Sequence, residues 1–276
     1  MNTNGNLYTV IYTTIVVVLV AAILAFASLK LAPKQEENVK ADAISQMLTA
    51  AKFFEKSELE AMGNARIIEE YKNSIKASIL VDGNGKECGT LDMDKQEIYT
   101  TSQLKAQNTL IKNGRTEELA LPVFVFEKDG NTVNVVPCYG AGLWGPIWGY
   151  LAFNEDMKTI RGAYFDHASE TPGLGAKIKD DPSFRKEFEG KSADFSGDEI
   201  FSVVKGGAPA GKTNAVDAIT GASITSKALG VSINNWLKAY KPYFTAAGSA
   251  AGEKVTEPAA DSLSVVPAAD STALAN

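Results

Sequence analysis

The sequence predicts an α+β protein: a single N-terminal transmembrane helix, followed by one domain in which a largely antiparallel sheet is flanked by helices. Three observations predict it. From Leu7 to Leu29 there is no charged residue, and about 20 apolar residues in a helix cross a bilayer core. Between residues 78 and 205, short apolar runs rich in valine, isoleucine and aromatics alternate with glycine turns, and connections this short favour antiparallel pairing. Near the C-terminal end, Leu229, Ile233, Trp236 and Leu237 recur at helical spacing and mark one buried stripe.

The chain has 276 residues, 45% of them hydrophobic and 22% charged, which is too apolar on average for disorder. A net charge of −6 and the lack of a basic face argue against a nucleic-acid partner. Cys88 and Cys138 stand in no CxxC or CxxH spacing. They either pair or are two buried thiols, and the second reading is adopted. His167 is the sole histidine, so a multi-histidine metal site is excluded and no metal is expected.

In order along the chain, residues 1–6 form a short leader to the transmembrane helix over 7–29. A signal peptide fits less well, because no basic segment precedes the apolar run and the run is long. Tyr8 and Tyr12 suit an interfacial belt. A juxtamembrane helical region over 30–77 follows, with Val39, Ala43, Met47, Leu48 and Ala51 at helical spacing and a second helix between Lys56 and Lys76. The domain proper spans 78–244. Ser78–Val81 reads as a strand, and Leu121–Pro137 as a hairpin with Asp-Gly-Asn at its tip. Gly149–Asn154 and Thr159–His167 read as two further strands, Asp180–Gly190 as a short helix and Ile200–Lys205 as a strand. The tail over 245–276 is rich in Ala, Ser and Pro and is expected to stay disordered.

Three stretches carry chemistry. Cys138–Gly149 is dense in glycine and aromatics and reads as a loop that either invites a flat ligand or plugs the space between strands. His167-Ala168-Ser169-Glu170-Thr171-Pro172-Gly173-Leu174-Gly175 contains a Pro-Gly turn, and both a structural and a direct role stay open for His167 and Glu170. Asp217-Ala218-Ile219-Thr220-Gly221-Ala222-Ser223-Ile224-Thr225-Ser226 packs hydroxyls ahead of the last helix, expected to begin near Thr225 with Thr225 as cap. A helix start offers unpaired N–H groups and a positive dipole end, so the stretch is either a plain turn and N-cap or an anion site where a phosphate docks.

Taken together, the anchor, Gly142-Leu143-Trp144-Gly145-Pro146 with Glu170-Thr171-Pro172-Gly173-Leu174-Gly175, and Asp217-x-x-Thr220-Gly221-Ala222-Ser223 resemble the C-subunit family of sodium-translocating NADH:quinone reductases, from about residue 7 to about residue 243. The resemblance implies an FMN-binding domain and a covalent FMN, joined through its phosphate as an ester to Ser223. The family pattern usually has threonine at that position. It implies Asp217 as a recognition residue for a separate flavin transferase, and Leu143, Trp144, Thr171, Gly173, Leu174 and Gly175 as walls of the flavin ring. Glu170, Thr220, Gly221, Ala222 and Thr225 are expected to line the same site, with backbone N–H groups or Lys205 as tuners of the flavin. No catalytic side chain is expected beyond the flavin.

The implied role is an electron carrier, inactive alone, in a multi-subunit NADH:ubiquinone reductase that exports sodium, with other membrane and flavin subunits as partners. The implied location is the bacterial inner membrane with the C-terminal domain in the periplasm. Lys30, Lys34 and Lys40 follow the span and none precedes it, which by the positive-inside rule points the other way. Two alternatives are the flavin subunit of an Rnf-type ferredoxin:NAD reductase and a flavin-free, membrane-tethered binding or assembly module.

Overall fold

A computed structural model describes residues 5–255. The uncharged N-terminal run and the stalk are one continuous helix, α1 (Asn6–Ala50), which runs through Pro33 without a break. Its first part is long and apolar enough to cross a membrane, and none of it is buried. Its last turns instead bury Ala41, Ile44, Met47 and Leu48 against the domain. Helices α2 (Lys56–Ala61) and α3 (Asn64–Ser74) follow. The chain turns directly into β1 (Ile75–Val81), so the helix expected up to Lys76 ends at Ser74.

The segment between Gly85 and Leu121 shows little periodicity in sequence, yet it holds β2 (Glu87–Thr90) and α4 (Thr101–Lys112). The latter starts at a reciprocal Thr100–Gln103 capping box. The sheet continues with β3 (Leu121–Lys128), β4 (Asn131–Ala141), β5 (Pro146–Asn154) and β6 (Ile160–His167). Its order is β2-β1-β3-β4-β5-β6, and every neighbouring pair is antiparallel. Two short helices, α5 (Lys177–Asp180) and α6 (Pro182–Lys186), replace the single one expected from Asp180 to Gly190. The Asp181 carboxylate caps α6 by accepting from the Ser183 N–H at 2.9 Å. A separate parallel pair, β7 (Ser202–Val204) with β8 (Ala215–Asp217), leads into α7 (Ser223–Val255).

Both faces of the six-stranded sheet are covered, because successive side chains point to opposite faces. On one face Phe124, Phe126, Val133, Val135, Tyr150 and Tyr164 pack on the end of α1 and on Tyr71 of α3. On the other, Val123, Val136, Cys138, Leu151, Phe153 and Phe165 meet Leu229, Ile233, Trp236, Leu237 and Tyr240 of α7. The helical stripe read from sequence is therefore the helix's core face. Two hydrogen bonds fix its position on the sheet: Trp236 Nε1 donates to the Tyr139 carbonyl at 2.9 Å, and the Tyr240 hydroxyl donates to the Pro122 carbonyl at 2.7 Å.

Three expectations are corrected. Cys138–Gly149 is a hairpin, with Ala141 opposite Pro146 and only Gly142–Gly145 left as its turn. Cys88 is exposed and only Cys138 is buried, both as free thiols. Helix α7 passes Phe244 and runs to Val255, while residues 256–276 of the expected tail lie outside the described residues.

Candidate functional site

The site forms where one end of the sheet meets the start of α7, and Glu170 is the knot that ties it. β6 ends at His167, whose Nδ1 accepts from the Glu170 N–H at 3.1 Å and folds the chain back. That bond makes His167 a shaping residue of the turn. It turns the Glu170 side chain inward to 5% exposure. There Oε1 accepts from the Trp144 N–H at 3.1 Å and Oε2 from the Thr225 hydroxyl at 2.7 Å. One carboxylate thus joins the β4–β5 turn, the loop after β6 and the first turn of α7. The Ser169 hydroxyl adds a second tie by donating to the Trp144 carbonyl at 3.0 Å.

Two glycines allow this approach. A Cβ on Gly142 would lie 2.3 Å from Glu170 Oε1, and one on Gly175 would lie 2.3 Å from Glu170 Oε2 and 2.8 Å from Thr225 Oγ1. The loop itself is closed by the Thr171 carbonyl, which accepts from the N–H groups of Leu174 and Ala176, both at 3.1 Å. Gly173 lies within that turn with a positive φ.

The stretch before α7 is a turn in which the Ala222 N–H donates to the Ile219 carbonyl at 3.1 Å. Its third residue, Gly221, has φ +82°, a conformation that side chains with a Cβ rarely adopt. Gly221 also lies under Leu174, whose Cδ2 is 3.0 Å from where a Cβ would sit. The helix begins at Ser223, ahead of the start expected near Thr225. Thr225 is therefore not the cap: it is buried inside the first turn and spends its hydroxyl on Glu170. Ser226 is equally committed, accepting from the Ile219 N–H at 3.0 Å. Ser223 is half-buried, and its hydroxyl has no hydrogen bond among the described residues. Thr220 is exposed at the turn and Ala222 is buried beneath it.

The segments that meet here leave large apolar side chains facing solvent: Leu143 (46% exposed) and Trp144 (65%) on the turn tied through Glu170, Leu174 (44%) over Gly221, and Ile224 (61%) next to Ser223. Exposed large apolar groups on segments that meet mark a binding surface more than a core defect. Ile224 was missed in the sequence reading. The signal was there, because Ile224 lies out of phase with the buried stripe of α7.

Asp217 and Lys205 are not drawn into this cluster. The Asp217 carboxylate accepts from the Ala208 N–H at 2.7 Å, and its own N–H donates to Glu187 Oε2 at 2.8 Å, so it organises the loop after β7. Lys205 is exposed at the start of that loop.

A family model described as an FMN-binding domain matches residues 142–238, the span that holds the turn, the loop and the start of α7. The chain therefore carries an FMN-binding domain. A crystal structure of the C-subunit of Na(+)-translocating NADH-quinone reductase from Parabacteroides distasonis superposes with a TM-score of 0.65 at 33% identity, over 78% of this chain and 97% of that one. The chain belongs to the C-subunit family of Na(+)-translocating NADH-quinone reductases. Shewanella oneidensis NqrC is similar at a TM-score of 0.60 and 25% identity, over 77% of this chain and 99% of that one. Among curated relatives, the Vibrio anguillarum C-subunit is 29% identical over 85% of this chain and 91% of its own length. The Yersinia pestis C-subunit is 40% identical, over 42% of this chain and 44% of its own length.

Proposed function

We propose that the chain is the electron-carrying flavin subunit of a membrane-bound, sodium-translocating NADH:quinone reductase, and that FMN is joined through its phosphate to the Ser223 hydroxyl. The observation that carries this reading is the distribution of hydroxyls at the start of α7. Thr225 and Ser226 are bound internally, whereas Ser223 is uncommitted, at the helix N-terminus and beside an exposed apolar surface. The residues present fit the group. The first N–H groups of α7 and its dipole favour a phosphate ester at Ser223, and Leu143, Trp144, Leu174 and Ile224 offer a flat ring an apolar bed. When bound, the flavin supplies one- and two-electron redox chemistry.

The chain's own residues position it. Glu170 locks the Leu143–Trp144 turn against α7, buried Gly175 makes room for that carboxylate beside Thr225, exposed Gly221 keeps the surface low enough for a ring to approach, and Asp217 holds the loop that a flavin transferase would recognise. Nothing in this design needs a side-chain acid or base. The redox steps that precede and follow belong to other subunits, so the chain alone is inactive in NADH oxidation.

The apolar part of α1 anchors the chain in the inner membrane, and we place the domain on the periplasmic side, where the transferase acts. The juxtamembrane lysines oppose that orientation, but only three of them weigh against it. The test of the attachment is in-gel flavin fluorescence of denatured protein co-expressed with the transferase. A bright band that is lost in Ser223→Ala supports the reading. A band that stays bright in that variant, or a dark band in the parent, overturns it.

A further inference from the structure

β6 is an edge strand of the sheet, and its last two residues, Asp166 and His167, hold both ends of the loop that carries Leu174. At the near end His167 Nδ1 accepts from the Glu170 N–H. At the far end Lys179 of α5 donates from Nζ to Asp166 Oδ2 at 2.9 Å. Successive side chains of a strand point to opposite faces, so Phe165 faces α7 while Asp166 faces α1. α5 straddles the edge in the same way. Ile178 is fully buried in the core with Phe165, and Lys179, its neighbour, reaches round to the other face. The Lys179 carbonyl accepts from Arg185 Nη1, so the ammonium is presented from a fixed backbone. Asp166 is 3% exposed and serves three segments. Besides Lys179 it accepts from Gln46 Nε2 of α1 at 3.1 Å and, on Oδ1, from the His167 N–H at 2.7 Å. Among the described residues Lys179 is its one ion-pair partner, and a buried carboxylate left without its cation is strongly unfavourable. Between the two ties the chain makes the Thr171–Gly175 turn, whose Leu174 lies over Gly221.

We propose that Asp166 and Lys179 are positioning residues for the flavin: their ion pair clasps the loop to the sheet edge and so sets where Leu174 stands against the ring held at Ser223. The inference rests on the flavin reading above. Both residues act through Leu174, and Gln46 steadies the carboxylate from the stalk, so the loop is registered to the anchor helix as well as to the sheet. With the pair broken, the turn closed by the Thr171 carbonyl persists but the far tie is gone, and Leu174 moves off the ring. Local openings of this kind leave the rest of a fold in place.

The test is iodide quenching of the flavin fluorescence of the native, detergent-solubilised full chain, co-expressed with the transferase and measured well below its melting temperature. Lys179→Met, Asp166→Asn, the two combined, and the conservative Lys179→Arg are compared with the parent. Each of the first two should raise the quenching constant by about twofold, as a locally opened loop uncovers the ring. The combined variant should rise no further, because two residues acting through one contact are not additive, and Lys179→Arg should quench like the parent. Single variants that quench like the parent, even with a lower melting temperature, overturn the proposal and leave the pair a purely structural role. Effects that add in the combined variant overturn it too. If Asp166→Asn does not fold, Lys179→Met against Lys179→Arg decides, since the Lys179 side chain is one-third exposed. Hydrogen exchange of the peptide over 168–179 in flavin-free protein, expressed without the transferase, should be faster in Lys179→Met and parental in Lys179→Arg; parental exchange in both refutes the clasp. A parent without covalent flavin would sink the flavin reading instead, and the exchange measurement would still decide whether the loop is clasped.

Discussion

Glu170→Ala tests the knot that builds the site. The substitution removes the acceptor of the Trp144 N–H and of the buried Thr225 hydroxyl, bonds of 3.1 and 2.7 Å. A buried donor left unpaired costs about 1–3 kcal/mol, and the two are coupled through one carboxylate, so a loss of about 2–4 kcal/mol is expected. For a chain of this size each kcal/mol moves the melting temperature by roughly 2–4 °C, which puts the drop at about 5–15 °C. Glu170→Gln behaves differently. Its carbonyl still accepts from Trp144, and its amide donates to the Thr225 oxygen, which turns from donor to acceptor. That variant should lose less than about 1 kcal/mol, estimated from one net neutral hydrogen bond. The assay is thermal unfolding of the detergent-solubilised full chain by circular dichroism, with flavin incorporation measured in parallel. Equal losses for Ala and Gln, or an Ala variant that melts with the parent, would refute the argument.

Gly175→Ala drives a methyl to 2.3 Å from Glu170 Oε2, so it should destabilise by about 1–3 kcal/mol as overpacking does and reduce flavin incorporation. A variant with parental stability and flavin content contradicts the close approach. Asp42→Asn probes the contact of α1 with β6. Burial first, and then the charge of Asp166, raises the Asp42 carboxyl above its ordinary value of 3.8, so the folded state holds the proton more tightly than the unfolded one. The resulting cost is absent below pH 3.8 and grows as pH rises through the folded-state value. Asparagine escapes it and still accepts from Gln46, so its melting temperature should exceed the parent's at neutral pH and converge with it in acid. A gain that persists at low pH would show another cause. Impermeant maleimide should modify exposed Cys88 and spare buried Cys138, whose thiol is pushed up to about 12 by burial. Labelling of Cys88 in intact spheroplasts reads out a periplasmic domain, and protection until lysis reads out the opposite.

Elements with strong local signals were legible. The uncharged span, the β3–β4 hairpin with its Asp-Gly tip and the stripe from Leu229 to Leu237 each carry their period or turn chemistry in contiguous residues. β2 and α4 were not, because β2 is exposed throughout and α4 buries little beyond Leu104 and Asn108. At the candidate site, the three segments marked in the sequence do come together through Glu170, but the sequence misjudged the hydroxyls. Thr225 looks like a cap in one dimension. Only tertiary structure brings Glu170 across from β6 to claim its oxygen, and that contact lets the helix start at Ser223. The glycine-rich run around Trp144 read as a loop because the glycines that let β4 and β5 pass close to Glu170, Ser169 and Ser232 have the composition of turns.

The most direct measurement is mass spectrometry of the tryptic peptide that contains Ser223, from full-length protein co-expressed with its flavin transferase. The account expects an added FMN whose fragment ions localise it to Ser223 and leave Thr220, Thr225 and Ser226 unmodified. An unmodified peptide, or FMN on any other hydroxyl of that stretch, would contradict it.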